Sequence, residues 1–108
     1  KLVNYHSNLA HGTVFRFPGS YPHEKYVDLI LVEFPDNDRK FGLVVSTGHK
    51  AGLILVKLPK EAESNNFAGI DRQWVIDNWN KWIYETCNVD DVYVIQNYPI
   101  PVIDHSKP

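Results

Sequence analysis

Along most of this chain apolar residues fall in short runs broken by turn-forming residues, and one stretch only repeats at helical spacing. Thr13 to Phe17 mixes β-branched, aromatic and polar types ahead of Pro18-Gly19-Ser20, which predicts a strand and then a turn. Tyr26 to Phe34, YVDLILVEF, is apolar on both pleat faces, with Val27, Leu29 and Leu31 on one and Ile30, Val32 and Phe34 on the other. That pattern predicts a central strand. After the polar turn from Pro35 to Lys40 come Phe41 to Thr47 and Leu53 to Leu58, joined by Gly48-His49-Lys50-Ala51-Gly52. Glycines at both ends of a short polar loop supply the left-handed backbone that a hairpin needs, so the three runs are expected to form an antiparallel meander.

Pro59 ends the meander, and Lys60 to Gly69, polar and without a period, is expected to be a loop. Asp71 to Cys87 is the helical stretch, with Asp71 as its N-cap. At about 100° per residue, Val75, Trp79, Trp82, Ile83 and Thr86 share its inner face. Trp74 falls on a flank. Asn88 suits a left-handed terminator, Asp91 to Tyr98 reads as a last strand, and Pro99 and Pro101 leave the tail extended. The expected fold is α+β: a twisted antiparallel β-sheet of about five strands with one main α-helix packed on one face.

The 108 residues are one domain's length, and 44% hydrophobic against 22% charged residues is enough for a core, so a single domain over 1–108 is expected. Eleven basic against 13 acidic residues give a formal charge of −2, which argues against an electrostatic nucleic-acid binder. A lone cysteine, Cys87, cannot form an internal disulfide and fits a reducing, cytoplasmic setting, where it would be a small buried hydrophobe. No apolar run is long enough to span a membrane and no leader pattern opens the chain, so no membrane partner is expected.

Candidate chemistry is sparse. The five histidines, His6, His11, His23, His49 and His105, show no metal-ligand spacing, so neither metal nor cofactor is expected. A nuclease could use His11 or His49 as acid and base with Lys50 on the phosphate, if all three converged on one cleft. The glycine-rich loop around Lys50 lacks the order of a phosphate loop and leads into a strand. Trp74, outside the inner helical face, is either an interface anchor or packed beneath the Lys60–Gly69 loop.

Three features together, TGHKAGLILV, LPKE at Leu58 to Glu61, and the W-x4-W-x2-W spacing from Trp74 to Trp82, resemble small α+β immunity proteins encoded beside polymorphic toxins in bacteria, the group designated immunity protein forty-five. The resemblance covers roughly residues 26 to 98 and leaves the first 25 residues outside it. It implies a protein that neutralises a cognate toxin domain by stoichiometric binding, with a polymorphic or contact-dependent inhibition toxin as partner. The missing nucleophile-base pairs, metal spacings and phosphate loop argue separately that the chain is not an enzyme, and a monomer or weak dimer is expected. Inhibitors use a few aromatic anchors and charged side chains that steer encounter. On that reasoning Asp36, Asp38, His49, Lys50 and Trp74 are the candidate partner-binding residues, although the two ends of a meander need not form one patch.

Overall fold

The computed structural model describes residues 1–19 and 25–98. Ser20 of the first expected turn, His23, His105 and the tail from Pro99 onward lie outside the described residues. Five strands, β1 (Val14–Pro18), β2 (Tyr26–Glu33), β3 (Phe41–Val45), β4 (Ile54–Lys57) and β5 (Tyr93–Ile95), form one antiparallel sheet in the order β4-β3-β2-β1-β5. The expected meander is present as β2, β3 and β4. Its second turn closes with Gly52 donating to the Val45 carbonyl, and Gly48 and Gly52 take φ of 68° and 94°. A Cβ at Gly52 would meet nothing within 4 Å, so its backbone conformation is what calls for glycine there.

The register sorts the residues of β2 by face. Phe15 lies opposite Leu29 and Phe17 opposite Val27, and Leu29 and Leu31 lie opposite Val45 and Leu43. These side chains belong to a single core cluster with Val75, Trp79 and Ile83. The Trp79 ring meets Phe17 edge-on at 5.4 Å and Phe15 at 5.9 Å. The N-terminal segment closes one side: Leu2 and Leu9 are buried, the Leu2 amide donates to Val92 O at 2.9 Å, and Leu9 bridges to Ile70. The expected Lys60–Gly69 loop holds one 3-10 turn, Lys60–Ala62, whose Ala62 is buried.

The helix departs from the expected Asp71–Cys87 span. Helix α1 covers Arg72–Asn78, capped as expected by the Asp71 carboxylate, which accepts from the Trp74 amide at 3.0 Å. A π turn, Trp79–Ile83, follows and ends at Tyr84, whose backbone is extended. Two asparagines account for the change. Asn78 leaves helical geometry at φ −113° and ψ 9° and donates its amide to Trp74 O at 2.9 Å, while Asn80 donates to the carbonyls of Tyr84, Glu85 and Cys87. Side-chain amides that satisfy nearby carbonyls offer the backbone an alternative to continuing the helix.

A π turn rotates each residue by less than an α turn does. Ile83 therefore swings into line with Val75 and Trp79, and Trp82 swings to the flank, half-buried instead of in the core. Thr86, expected on the inner face, is exposed. Two further expectations are corrected. Asn88 sits at φ −68°, not in the left-handed region, and its side chain accepts from the Asp90 amide to start a 3-10 turn, Val89–Asp91. That turn takes up Asp91, so the last strand is only Tyr93–Ile95.

Candidate functional site

The face of the sheet away from the helix carries a polar node. Asp28, opposite Arg16 in the β1–β2 register, has a side chain only 2% exposed. Arg16 Nε and Nη2 donate to its two carboxylate oxygens, each at 2.8 Å. Tyr98 donates its hydroxyl to Asp28 Oδ2 at 3.1 Å and is hydrogen-bonded to Ser46 Oγ. Thr47 Oγ1 accepts from the Asp28 amide at 3.1 Å. The paired carboxylate holds the Arg16 guanidinium pKa above its ordinary value, and burial, with the Asp28 charge adding, pushes the Tyr98 phenol up against the opposing Ser46 hydrogen bond. A satisfied bidentate pair of this kind locks β1, β2, the end of β3 and Tyr98 together.

Because Ser46 and Thr47 are held to β2, the β3–β4 turn projects from a fixed base. Beside it, on the helix side, lies a recess of about 580 Å³ including its part open to solvent, lined by Val27, Leu29, Val45, Leu55 and Tyr84, with Thr47, His49 and Lys50 among its lining residues. Tyr84 stands there because the π turn releases the chain at that point and its ring packs on Phe17, with centroids 4.7 Å apart. Leu55 is the extra residue of a bulge, since Leu43 pairs with Val56 and Val44 with Ile54. Residues 48–55 are exposed without interruption. Three of them are large and apolar: Leu53 at 59%, Ile54 at 54% and Leu55 at 38%.

The structure brings His49 and Lys50 to this recess and separates the other candidates from it. Asp36 and Asp38 occupy the β2–β3 turn at the opposite end of the hairpin. Asp36 is half-buried and engaged, its Oδ1 accepting from the Asp38 and Arg39 amides at 2.9 and 3.3 Å and its Oδ2 lying 3.3 Å from Lys57 Nζ. Those amides, then the lysine, hold its carboxyl pKa below the usual range. Asp38 is exposed. Trp74 is half-buried and packs on Trp82 with ring centroids 5.9 Å apart, the two flank positions having been aligned by the π turn. His11 lies 3.8 Å from Glu33, at the β2 end remote from His49 and Lys50, so the three groups a nuclease would need do not converge.

Cys87 is buried and donates its thiol to Asn88 O at 3.3 Å, and burial, followed by the Asp91 charge, raises its pKa. Its surroundings favour a neutral thiol over a thiolate nucleophile. Among the described residues no group of three or more His, Cys, Asp or Glu is placed to hold a metal ion. No helix among them is long and apolar enough to cross a membrane. Sequence reasoning missed the Asp28 node and the exposed Leu53–Leu55 lip. An aspartate inside the otherwise apolar first half of a central strand was the available signal for the first, and the absence of any acid between His49 and Lys60 was the signal for the second.

The described residues thus form a five-stranded α+β domain with an apolar recess beside an exposed strand edge. Residues 2–94 match the family model described as Immunity protein 45, and the chain belongs to that family. The match begins within the N-terminal segment, so the first 25 residues, outside the resemblance seen in the sequence, are largely part of the family domain. Comparison with curated proteins and with solved structures finds no match in either. Membership suggests a toxin-neutralising role.

Proposed function

We propose that this protein is a cytoplasmic, non-enzymatic inhibitor that neutralises a cognate toxin domain, of the polymorphic or contact-dependent inhibition type, by stoichiometric binding. The observation that carries the reading, beside family membership, is the β3–β4 end: a preformed apolar recess with charged residues beside a continuous exposed stretch. Apolar and aromatic groups that exclude water, rimmed by charges, are the usual makings of a tight protein interface. Of the candidate residues, His49 and Lys50 are assigned to this surface. Asp36, Asp38 and Trp74 belong to other regions and are assigned no part in its centre.

The test is protection. Cells expressing the toxin domain encoded by the adjacent gene should survive when this protein is co-expressed, and the purified pair should form a 1:1 complex. Loss of protection on replacing His49 and Lys50 by alanine in a folded variant would agree with the assignment, whereas unchanged protection would move the surface elsewhere. Cleavage of RNA or DNA by the purified protein, abolished in His49→Ala, would replace the binding reading by the nuclease one.

A further inference from the structure

Among the described residues strand β4 is an edge of the sheet, so half of its backbone groups have no described strand beside them. β4 is short, bulged and ends on Lys57, features that limit open-ended pairing, yet Leu53, Ile54 and Leu55 stand exposed here in succession. Pleat alternation puts Ile54, opposite Val44, on the helix-free face, and the extra residue Leu55 lines the recess on the other side. An occupant would therefore meet an apolar edge and, around the corner, an apolar socket.

Charge chooses among occupants. From His49 to Lys60 the sequence holds Lys50, Lys57 and Lys60 and no acid, in a chain whose formal charge is −2. Lys57 is occupied by Asp36 and lies over the Phe34 ring, 4.9 Å from its centroid, which leaves exposed Lys50 and Lys60 flanking the strand. At the far end Asp36 already engages Lys57 and exposed Glu61 follows Lys60, so a segment carrying carboxylates would be attracted chiefly at the Lys50 end.

Resting on the toxin-binding reading above, we infer that the β4 edge receives an extended, acidic segment of the toxin, which lies along Leu53–Lys57 and places one apolar side chain in the recess beneath Leu55 and Tyr84. Main-chain pairing supplies affinity and the recess supplies selectivity.

The experiment titrates the toxin domain encoded by the adjacent gene into wild type, Leu53→Ser/Leu55→Ser, Lys50→Glu and Asp36→Asn/Asp38→Asn, at low and physiological salt, after circular dichroism confirms each fold. The double serine variant should bind about 100-fold more weakly. Lys50→Glu should lose roughly tenfold at low salt and less at physiological salt, and the double asparagine variant should stay within about threefold of wild type. If wild type binds and both β4-edge variants bind within threefold of it, the inference fails and the toxin-binding reading stands. If wild type does not bind, the reading itself fails, and the inference with it. A wild-type dimer in sedimentation velocity at tens of micromolar, dissociated by Leu53→Ser, would put a second copy on the edge and overturn the proposal.

Discussion

Trp79, the first residue of the π turn, joins the helical segment to the sheet, since it is fully buried and its ring packs on both phenylalanines of β1. Its indole Nε1 has no hydrogen-bond partner among the described residues, so the ring is held by packing alone. Trp79→Ala should cost ~3–5 kcal/mol, and at ~4–8 °C per kcal/mol for a domain this size the thermal midpoint should fall by more than 10 °C. A midpoint within about 2 °C of wild type would contradict that role.

The Arg16–Asp28 pair is asymmetric, because the arginine side chain is 43% exposed and the aspartate 2%. Arg16→Gln strands a buried carboxylate and should destabilise by about 3 kcal/mol, whereas Asp28→Asn leaves a guanidinium that can reach water and should cost roughly 1–2 kcal/mol. Urea midpoints of the two variants read the order directly. Tyr98 adds a pH dependence. With its phenol pKa raised on folding above the ordinary ~10, it contributes stability that is present below that value and lost as pH climbs through the folded one. Tyr98→Phe should accordingly show a shallower loss of stability above about pH 10 than wild type does.

Among the elements, the π turn does the positioning. It puts Ile83 into the core, pairs Trp82 with Trp74, and releases the chain so that Tyr84 reaches the recess. Asn80 holds that release by donating its side-chain amide to three nearby carbonyls, at 3.2 Å to Tyr84 O, 3.3 Å to Glu85 O and 2.7 Å to Cys87 O. Asn80→Ala removes the donor while the carbonyls, mostly exposed, regain water, with an expected cost of about 0.5–1.5 kcal/mol. Near-ultraviolet circular dichroism should change as well, because Tyr84 and the tryptophan pair would lose their fixed surroundings. An unchanged aromatic spectrum would show that packing of Tyr84 on Phe17 is enough to hold the turn.

At the scale of the whole molecule, the N-terminal segment, the sheet and the helix share one core. Leu2 and Leu9 pack in the same cluster as Phe15, Leu43 and Trp79, and Arg72 of the helix donates to the Val3 carbonyl at 3.2 Å. The chain is thus expected to unfold as a single domain in one transition, with far-ultraviolet circular dichroism and tryptophan fluorescence coinciding in urea. Two separated transitions would divide it into independent units.

Local pattern determined a good deal about this protein. Short β-branched and apolar runs bounded by turn residues marked all five strands, paired glycines marked the β3–β4 turn, and Asp71 marked the helix start, because each signal depends on residues only a few positions apart. The same turn and tryptophan spacing carried the family. What tertiary structure decided is which polar group is buried and where the helix stops. Asp28 is sealed because Arg16, twelve positions earlier, and Tyr98, seventy later, converge on it across the sheet. The helical period could not foresee the π turn, since Asn80 competes for carbonyls that come within reach only once the chain has folded back. The recess follows from both, being the gap that remains where a turn tied to β2 faces a helix ending early at Tyr84.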